Sequence, residues 1–523
     1  MKPIINSLIR FTNSDVAIPF FKREKNTSEA QLCPDQCRKK DYSDKSHGEH
    51  VIRGIPGMKT ALLAIVSVLI CRDAIAQSNT DEAPNVLFVI ADDLGWKDVG
   101  FMGGDFFETP NIDRLSQQGM VFTNSYAGAA NCAPSRACLM TGQNTPRHGV
   151  YTVGSSARGE SKDRKLIPTP NTVSLQLEVV TMANMFKQAG YVTGTFGKWH
   201  LGQDPTMQGF DVNVGGDLSG NPGRDGYFSP YNVAHLEDGP EGEHLTDRLT
   251  AEAITFMNAN RDKPFFLYLP YYAVHTPLLA KKELTEKYRA RQNSNIKGIN
   301  PVYAAMVETM DNNVGRLINE LKKLNLEKNT IVVFTSDNGG AVRIATQLAL
   351  RAGKGSYYEG GIRVPTIIQW PGKVKAGTVT DKPIVNLDFY PTFKEILGIS
   401  LPNKVLDGQS LLPVLKGGTL RKRPLFWHFP IYLQSSPAAN NDARDPQFRT
   451  RPGSVIRYGD WKLHQYFEDD GIELYNLKAD LGERNNLHHS HPDKVKELLA
   501  MLEEWRKRTN APVPAEPNPD YKQ

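Results

Sequence analysis

Residues 86–95 read Val-Leu-Phe-Val-Ile-Ala-Asp-Asp-Leu-Gly, an apolar run that stops at two adjacent carboxylates. Apolar residues at every position, without alternation, mark a parallel strand buried on both faces. The same form returns at Tyr191–Phe196, Phe265–Tyr271, Ile331–Thr335 and Pro365–Trp370. Between these runs lie helical periodicities. The clearest spaces Tyr303, Met306, Val307, Met310, Val314, Leu317, Ile318 and Leu321 three and four apart, on one helix face. It leads directly into the run at Ile331, a helix-to-strand crossover unit, and the alternation predicts an α/β sheet.

From about residue 420 the texture changes. Pro424–Phe429, Ser454–Tyr458 and Trp461–Phe467 around a Gly459-Asp460 turn predict antiparallel hairpin strands. A last helix carries Val495, Leu498, Leu499, Leu502 and Trp505 on one face, ahead of a Pro-rich tail. The expected organisation is a large α/β domain over residues 83–415 and a small C-terminal α+β domain over 420–523. No internal repeat is evident.

With 523 residues, 40% of them hydrophobic and 23% charged, the chain has the composition of a globular protein of enzyme size. Lys and Arg total 62 against 57 Asp and Glu; residues 1–76 hold 12 against 8, leaving 50 against 49 in the remainder. A body so near neutrality excludes a broad nucleic-acid footprint. Met58 and Lys59 precede an apolar run from Ala61 to Cys71, and Ala74-Ile75-Ala76 offers a small-x-small cleavage site before Gln77. That order is a secretory signal peptide over 58–76, with 1–57 an upstream leader or misassigned start. The run is too short to span a bilayer comfortably, and Ile70 is too large for lipoprotein cleavage before Cys71, so no stable membrane insertion is expected. The expected location is periplasmic or secreted. Removing the leader takes away Cys33, Cys37 and Cys71; Cys132 and Cys138 remain, too few for a disulfide framework though spaced for one bridge.

Ligands of open α/β sheets bind beyond the carboxyl ends of the strands. Two strand ends here carry hard oxygen donors, Asp92-Asp93 and Asp337-Asn338. Three carboxylates and an amide, with no His or Cys among them, suit Ca²⁺ or Mg²⁺ rather than zinc. Singly, such pairs are more often turn residues and helix caps.

The most specific segment is Cys132-Ala133-Pro134-Ser135-Arg136, continuing Ala137-Cys138-Leu139-Met140-Thr141-Gly142. Pro134 and Ser135 suit a helix start, which places residue 132 where backbone N–H groups and the dipole favour an anion. A free Cys is otherwise a small buried hydrophobe or a thiol activated at a helix start. Cys138, at a position the motif leaves free, reads as packing. The segment resembles the sulfatase signature, C-x-P-S-R-x-x-L-x-T-G, at every defined position, and the resemblance extends over most of the mature chain. Gly197-Lys198-Trp199-His200-Leu201-Gly202, His275-Thr276-Pro277, Ser336-Asp337-Asn338-Gly339-Gly340 and Gly353-Lys354-Gly355 with Glu359–Arg363 are each similar to segments of that family. Glu473–Leu477, with Glu483 and Asn486-Leu487, resembles its small C-terminal domain.

The resemblance implies an alkaline-phosphatase-like fold and a sulfuric-ester hydrolase. It implies that Cys132 is oxidised to formylglycine by a maturation enzyme and that one Ca²⁺ is held by Asp92, Asp93, Asp337, Asn338 and residue 132. A hydroxyl of the aldehyde hydrate would attack sulfur, with Arg136, Lys198 and Lys354 offsetting charge. His275 would protonate the leaving oxygen and His200 would take the proton that lets sulfate depart. The substrate would be a sulfated small molecule or glycan. A phosphoester or phosphonate hydrolase of the same superfamily is the alternative enzyme, and a sulfated-glycan binding protein without turnover is the non-catalytic one. Residues 203–240 and 430–453 match no motif and are expected to line the pocket entrance. His488, His489 and His491 read as a solvated loop rather than a metal tract.

Overall fold

The computed structural model describes residues 83–522 apart from 224–225, 293–298, 402 and 436–441. The leader and signal segment expected over residues 1–76 lie outside the described residues. All described residues fall within one compact unit, Thr80–Gln523.

Its centre is an eight-stranded sheet. In chain order the strands are β1 (Asn85–Ala91), β2 (Met120–Phe122), β3 (Val192–Phe196), β4 (Val212–Val214), β5 (Phe265–Pro270), β6 (Thr330–Ser336), β7 (Thr366–Gln369) and β8 (Thr378–Thr380). They lie side by side as β4-β3-β5-β1-β6-β7-β2-β8. β1 occupies the interior and pairs in parallel with β5 through Val86↔Phe266 and with β6 through Val86↔Ile331. The alternation of the pleat explains why its sequence is apolar throughout. Leu87, Val89 and Ala91 enter one core, while Val86, Phe88 and Ile90 enter another on the opposite face. Helices α2 (Leu245–Ala259) and α3 (Pro301–Lys323) cover the first face; α1 (Cys132–Thr141) lies on the second. The helical periodicity of 303–321 is thus realised as the buried face of α3.

One expectation is corrected. The run at Pro365–Trp370 forms β7, which is antiparallel to β6 and to β2. A strand buried on both faces is apolar whichever way it runs, so composition alone does not give direction.

The second sheet is antiparallel, β9 (Leu425–Phe429), β10 (Gly453–Tyr458), β11 (Trp461–Tyr466) and β12 (Ile472–Asn476), in sequence order. Helix α4 (Pro492–Thr509) covers one face with Leu498, Leu502 and Trp505 on Ile456, Leu463 and Leu474. The other face, with Trp427 and Val455, packs against Tyr126, Cys138 and Ile362. The Trp427 indole N–H donates to the Ala127 carbonyl at 2.8 Å.

Candidate active site

Because β1, β3, β5 and β6 run in parallel, their carboxyl ends lie along one edge of the sheet. Asp92 and Asp93 follow β1, Asp337 and Asn338 follow β6, Lys198 and His200 follow β3, and His275 follows β5. Backbone bonds lock these ends together: Asp337 N–H donates to Ala91 O at 3.0 Å, Asp92 N–H to Ala273 O at 2.9 Å, and Lys198 N–H to Pro270 O at 2.8 Å. Lys354 arrives on the segment between β6 and β7, its N–H bonded to Gly340 O at 2.9 Å. Cys132 is the first residue of α1, as Pro134 and Ser135 predicted, and is buried.

The carboxylates face cations. Lys198 Nζ lies 2.6 Å from Asp92 Oδ2 and Lys354 Nζ 2.8 Å from Asp93 Oδ2. Arg136 is fully enclosed: its Nε donates to Asp337 Oδ2 at 3.0 Å and another guanidinium N–H to Lys198 O at 2.6 Å. Arg136 therefore joins the ends of β3 and β6. Burial, reinforced by Asp337, pushes the Asp92 carboxyl up to about 7 despite Lys198. For Asp93, Lys354, His275 and Lys198 outweigh burial and hold the carboxyl below its ordinary range. Burial, then the cations Lys198, Arg136 and Lys354, hold His200 well below the usual imidazole value, so its ring is neutral at pH 7. Burial and Lys354 likewise hold His275 down at about 4. Its Nδ1–H donates to Thr276 O at 2.7 Å, leaving Nε2 3.7 Å from Asp93 Oδ2. The Cys132 thiol is pushed up by burial, which argues against a resting thiolate.

The donor set suits a hard cation. Ligand atoms of Asp92, Asp93, Cys132 and His275 lie within 4.8 Å of one another. Asp92 Oδ1 and Asn338 Oδ1 are buried without a hydrogen-bond partner, and orphaned buried oxygens are what an oxygen-coordinated ion would satisfy. Asn338 is held in place by its amide N–H on Asp93 Oδ1 at 2.8 Å. Asp337 is shared: one oxygen accepts from Asp93 N–H at 3.2 Å, the other pairs with Arg136. His275 joins this group although the sequence reading gave it only a leaving-group role.

A cleft of about 1160 Å³ opens from here, with Cys132, His200, His275 and Lys354 on its wall. Leu218, Gly220 and Asn221 line it on one side and Gln434, Gln447 and Arg449 on another, the two motif-free segments expected at the entrance. Lys198 and Arg136 are completely buried and do not reach the cleft surface. Two contributors were missed. The Val153–Asp163 segment forms part of the wall. Asn386 fixes the start of α1, donating to Ser135 O at 3.0 Å and Oγ at 2.9 Å while its Oδ1 accepts from Gly128 N–H at 3.0 Å. A lone Asn 251 residues from its partner carries no sequence signal. Cys138 is a buried free thiol 3.6 Å from His148 Nε2, and no bridge to Cys132 forms.

The profile of the family described as Sulfatase matches residues 84–399, more than half of the chain. The chain belongs to the sulfatase family. A second profile, N-sulphoglucosamine sulphohydrolase, C-terminal, matches residues 353–509 of this sulfatase. A relative named sulfatase from Formosa agariphila is 34% identical, covering 84% of this chain and 91% of that protein. The N-acetylgalactosamine-6-sulfatase of Homo sapiens is 33% identical over 67% of this chain and 69% of its own. Among solved structures, Ps i-CgsB is 30% identical with a TM-score of 0.68, covering 84% of this chain and 94% of that one. The same protein has been solved with k-i-k-neocarrahexaose. The phosphonate monoester hydrolase of Agrobacterium radiobacter, at 21% identity and a TM-score of 0.58, shares the alkaline-phosphatase-like fold. This sulfatase is thus an enzyme whose family hydrolyses sulfate esters. No helix among its described residues is long and apolar enough to cross a membrane.

Proposed function

We propose that this sulfatase is exported and removes sulfate from a carbohydrate sulfate ester, with residue 132 converted to formylglycine and one Ca²⁺ per chain. The observation that carries this reading is the convergence of Cys132, His200, His275 and Lys354 on the wall of a cleft large enough for several sugar rings, with ligand atoms of Asp92 and Asp93 within 4.8 Å of those of Cys132 and His275. Asp92, Asp93, Asp337 and Asn338 would hold the cation, which when bound supplies Lewis-acid polarisation of a sulfate oxygen. Formylglycine supplies a hydrated aldehyde as nucleophile.

The remaining tasks belong to the chain. The N-terminal turn of α1 directs its backbone N–H groups at the anion. Lys354, on the cleft wall, meets a sulfate oxygen; Lys198, enclosed beside Asp92, balances the charge of the carboxylates. Arg136 acts as a positioning residue through Asp337 and the Lys198 carbonyl. His200, neutral in its burial, is suited to accept a proton. His275, at the wall, is placed to give a proton to the leaving oxygen once the negative charge of the bound sulfate ester offsets the cations that depress it. The large α/β domain over 83–415 supplies this machinery and the domain over 420–523 closes the cleft through Gln434 and Arg449.

The test has three readouts. Matched 4-nitrophenyl sulfate and phosphate esters should show release of sulfate far faster than phosphate; the reverse would make this a phosphoester hydrolase, and neither a binding protein. The peptide bearing residue 132, from protein made with a maturation enzyme, should have the mass of aldehyde or hydrate in place of thiol. Chelation should abolish activity, with Ca²⁺ restoring it and Zn²⁺ substituting poorly. Full activity with unmodified Cys132 would sink the mechanism.

A further inference from the structure

Two arginines on the cleft wall form no ion pair among the described residues. Arg158 and Arg449 line the same cleft as Cys132, His275 and Lys354. Neither lies within 4.0 Å of a carboxylate among the described residues. Their neighbours in sequence behave otherwise: Arg451 pairs with Asp445 and with Glu468 at 2.8 Å, and Arg444 with Asp469 at 2.6 Å. Among the described residues the Arg158 guanidinium reaches only the Val153 carbonyl, at 3.5 Å. Arg449 Nε is buried with no hydrogen-bond partner.

Both are held facing the cleft by the backbone. Arg449 lies between the buried Phe448 and Thr450 on a short strand, and the pleat turns its side chain to the opposite face. Its stem crosses Gly355, where an added Cβ would lie 2.9 Å from Arg449 Cδ, and so it sits beside the segment that carries Lys354. Arg158 follows Ala157, which bridges to Tyr432 beyond β9, while Gly159 packs on Phe448 and Gln434. Burial and the nearby Arg158 act against the charge on Arg449 and the more distant Asp93 acts for it, and a guanidinium keeps its proton in protein. The acids on this wall, Glu160 and Asp163, form no ion pair with either arginine. A planar guanidinium fork left open in a half-buried wall fits a sulfate or carboxylate through paired hydrogen bonds. Gln434 Oε1, also buried without a partner, would accept from a sugar hydroxyl.

We propose that Arg158 and Arg449 form a subsite for a second anionic group, so that the substrate class is a glycan carrying a further sulfate or a carboxylate close to the ester that is cleaved. The proposal rests on the sulfate-ester reading above, but its test does not need turnover. Calorimetry on the Cys132→Ser protein would use three matched disaccharide sets: one sulfate with a neutral neighbour, two sulfates, and one sulfate with a uronic acid. The two dianionic sets should bind at least about tenfold more tightly than the monosulfated one, the worth of one good charge-assisted contact. Which dianionic set wins identifies the second group. Arg158→Gln and Arg449→Gln should each reduce that preference about tenfold, Arg449→Lys less so, with unchanged melting temperatures. In the active enzyme the loss should fall on KM for dianionic substrates. No preference in the parent protein, or equal losses on mono- and dianionic ligands in the variants, overturns the proposal. Failure to release sulfate from any ester would count against the catalytic reading alone.

Discussion

Arg136 is enclosed on every side, and what keeps it there is Asp337 at 2.9 Å. Asp337→Ala would leave a buried guanidinium unpaired, a change that costs about 3–5 kcal/mol. It would also remove one of the four oxygen donors proposed for the cation. The variant should therefore lose both melting temperature and bound calcium, measured by calorimetry and metal analysis; normal metal content would show the ligand set is misplaced. The two histidines separate by chemistry. General-acid help matters when the leaving oxygen is strongly basic, as in a sugar alcohol, and little when it is a nitrophenolate. His275→Ala should then lose roughly 10²–10⁴-fold on a carbohydrate sulfate and much less on nitrophenyl sulfate. His200→Ala should lose alike on both, because its proposed step is common to every substrate. Equal losses for His275→Ala would remove it from the acid role. Most of these residues are legible in sequence because their chemistry sits in contiguous segments at strand ends. Arg158 and Arg449 are not, since their significance is the lack of an ion-pair partner among the described residues, which only the folded neighbourhood reveals.

Gly197, between β3 and Lys198, has φ +122°, and an added Cβ would fall 2.2 Å from Pro270 O. That carbonyl accepts from Lys198 N–H, so any shift that relieves the clash moves the lysine. Gly197→Ala should cost more than about 1 kcal/mol of stability. Turnover should fall by more than the unfolded fraction explains, read by comparing activity with circular dichroism at one temperature. Wild-type stability with lower activity would place the strain in the site alone. Long apolar strands and α3 could be read because their periodicity extends over five or more residues. β2, β4 and β8 have three residues each, too few to show a period, and they escaped notice.

The two sheets are tied by a buried ionic network. Glu359, beyond β6, meets Lys462 of β11 at 3.0 Å, Arg363 at 2.8 Å and the Tyr126 hydroxyl at 2.7 Å. Glu483 closes it, 3.0 Å from Lys462 and 2.6 Å from the Glu359 N–H. Lys462, Arg363 and Arg457 outweigh burial and hold Glu359 down at about 2, from an ordinary 4.5. A folded-state value below the unfolded one means this stabilisation is complete above pH 4.5 and is lost as pH falls towards 2. Glu359→Gln should be less stable by about 3–5 kcal/mol at neutral pH. Its melting temperature should also fall less steeply on acidification; parallel pH profiles for both proteins would place the acid sensitivity elsewhere. Glu359 and Arg363 are four apart, but no local pattern announces their pairing with Lys462, 103 residues from Glu359. The enclosure of Cys132, only 2% exposed at the start of α1, also sets an order of events. The proposed conversion would need a modifying enzyme to reach a thiol that the folded chain leaves almost wholly enclosed, at the foot of the cleft. If residue 132 is converted as proposed, conversion competes with folding during biosynthesis, and a molecule that folds first keeps its thiol.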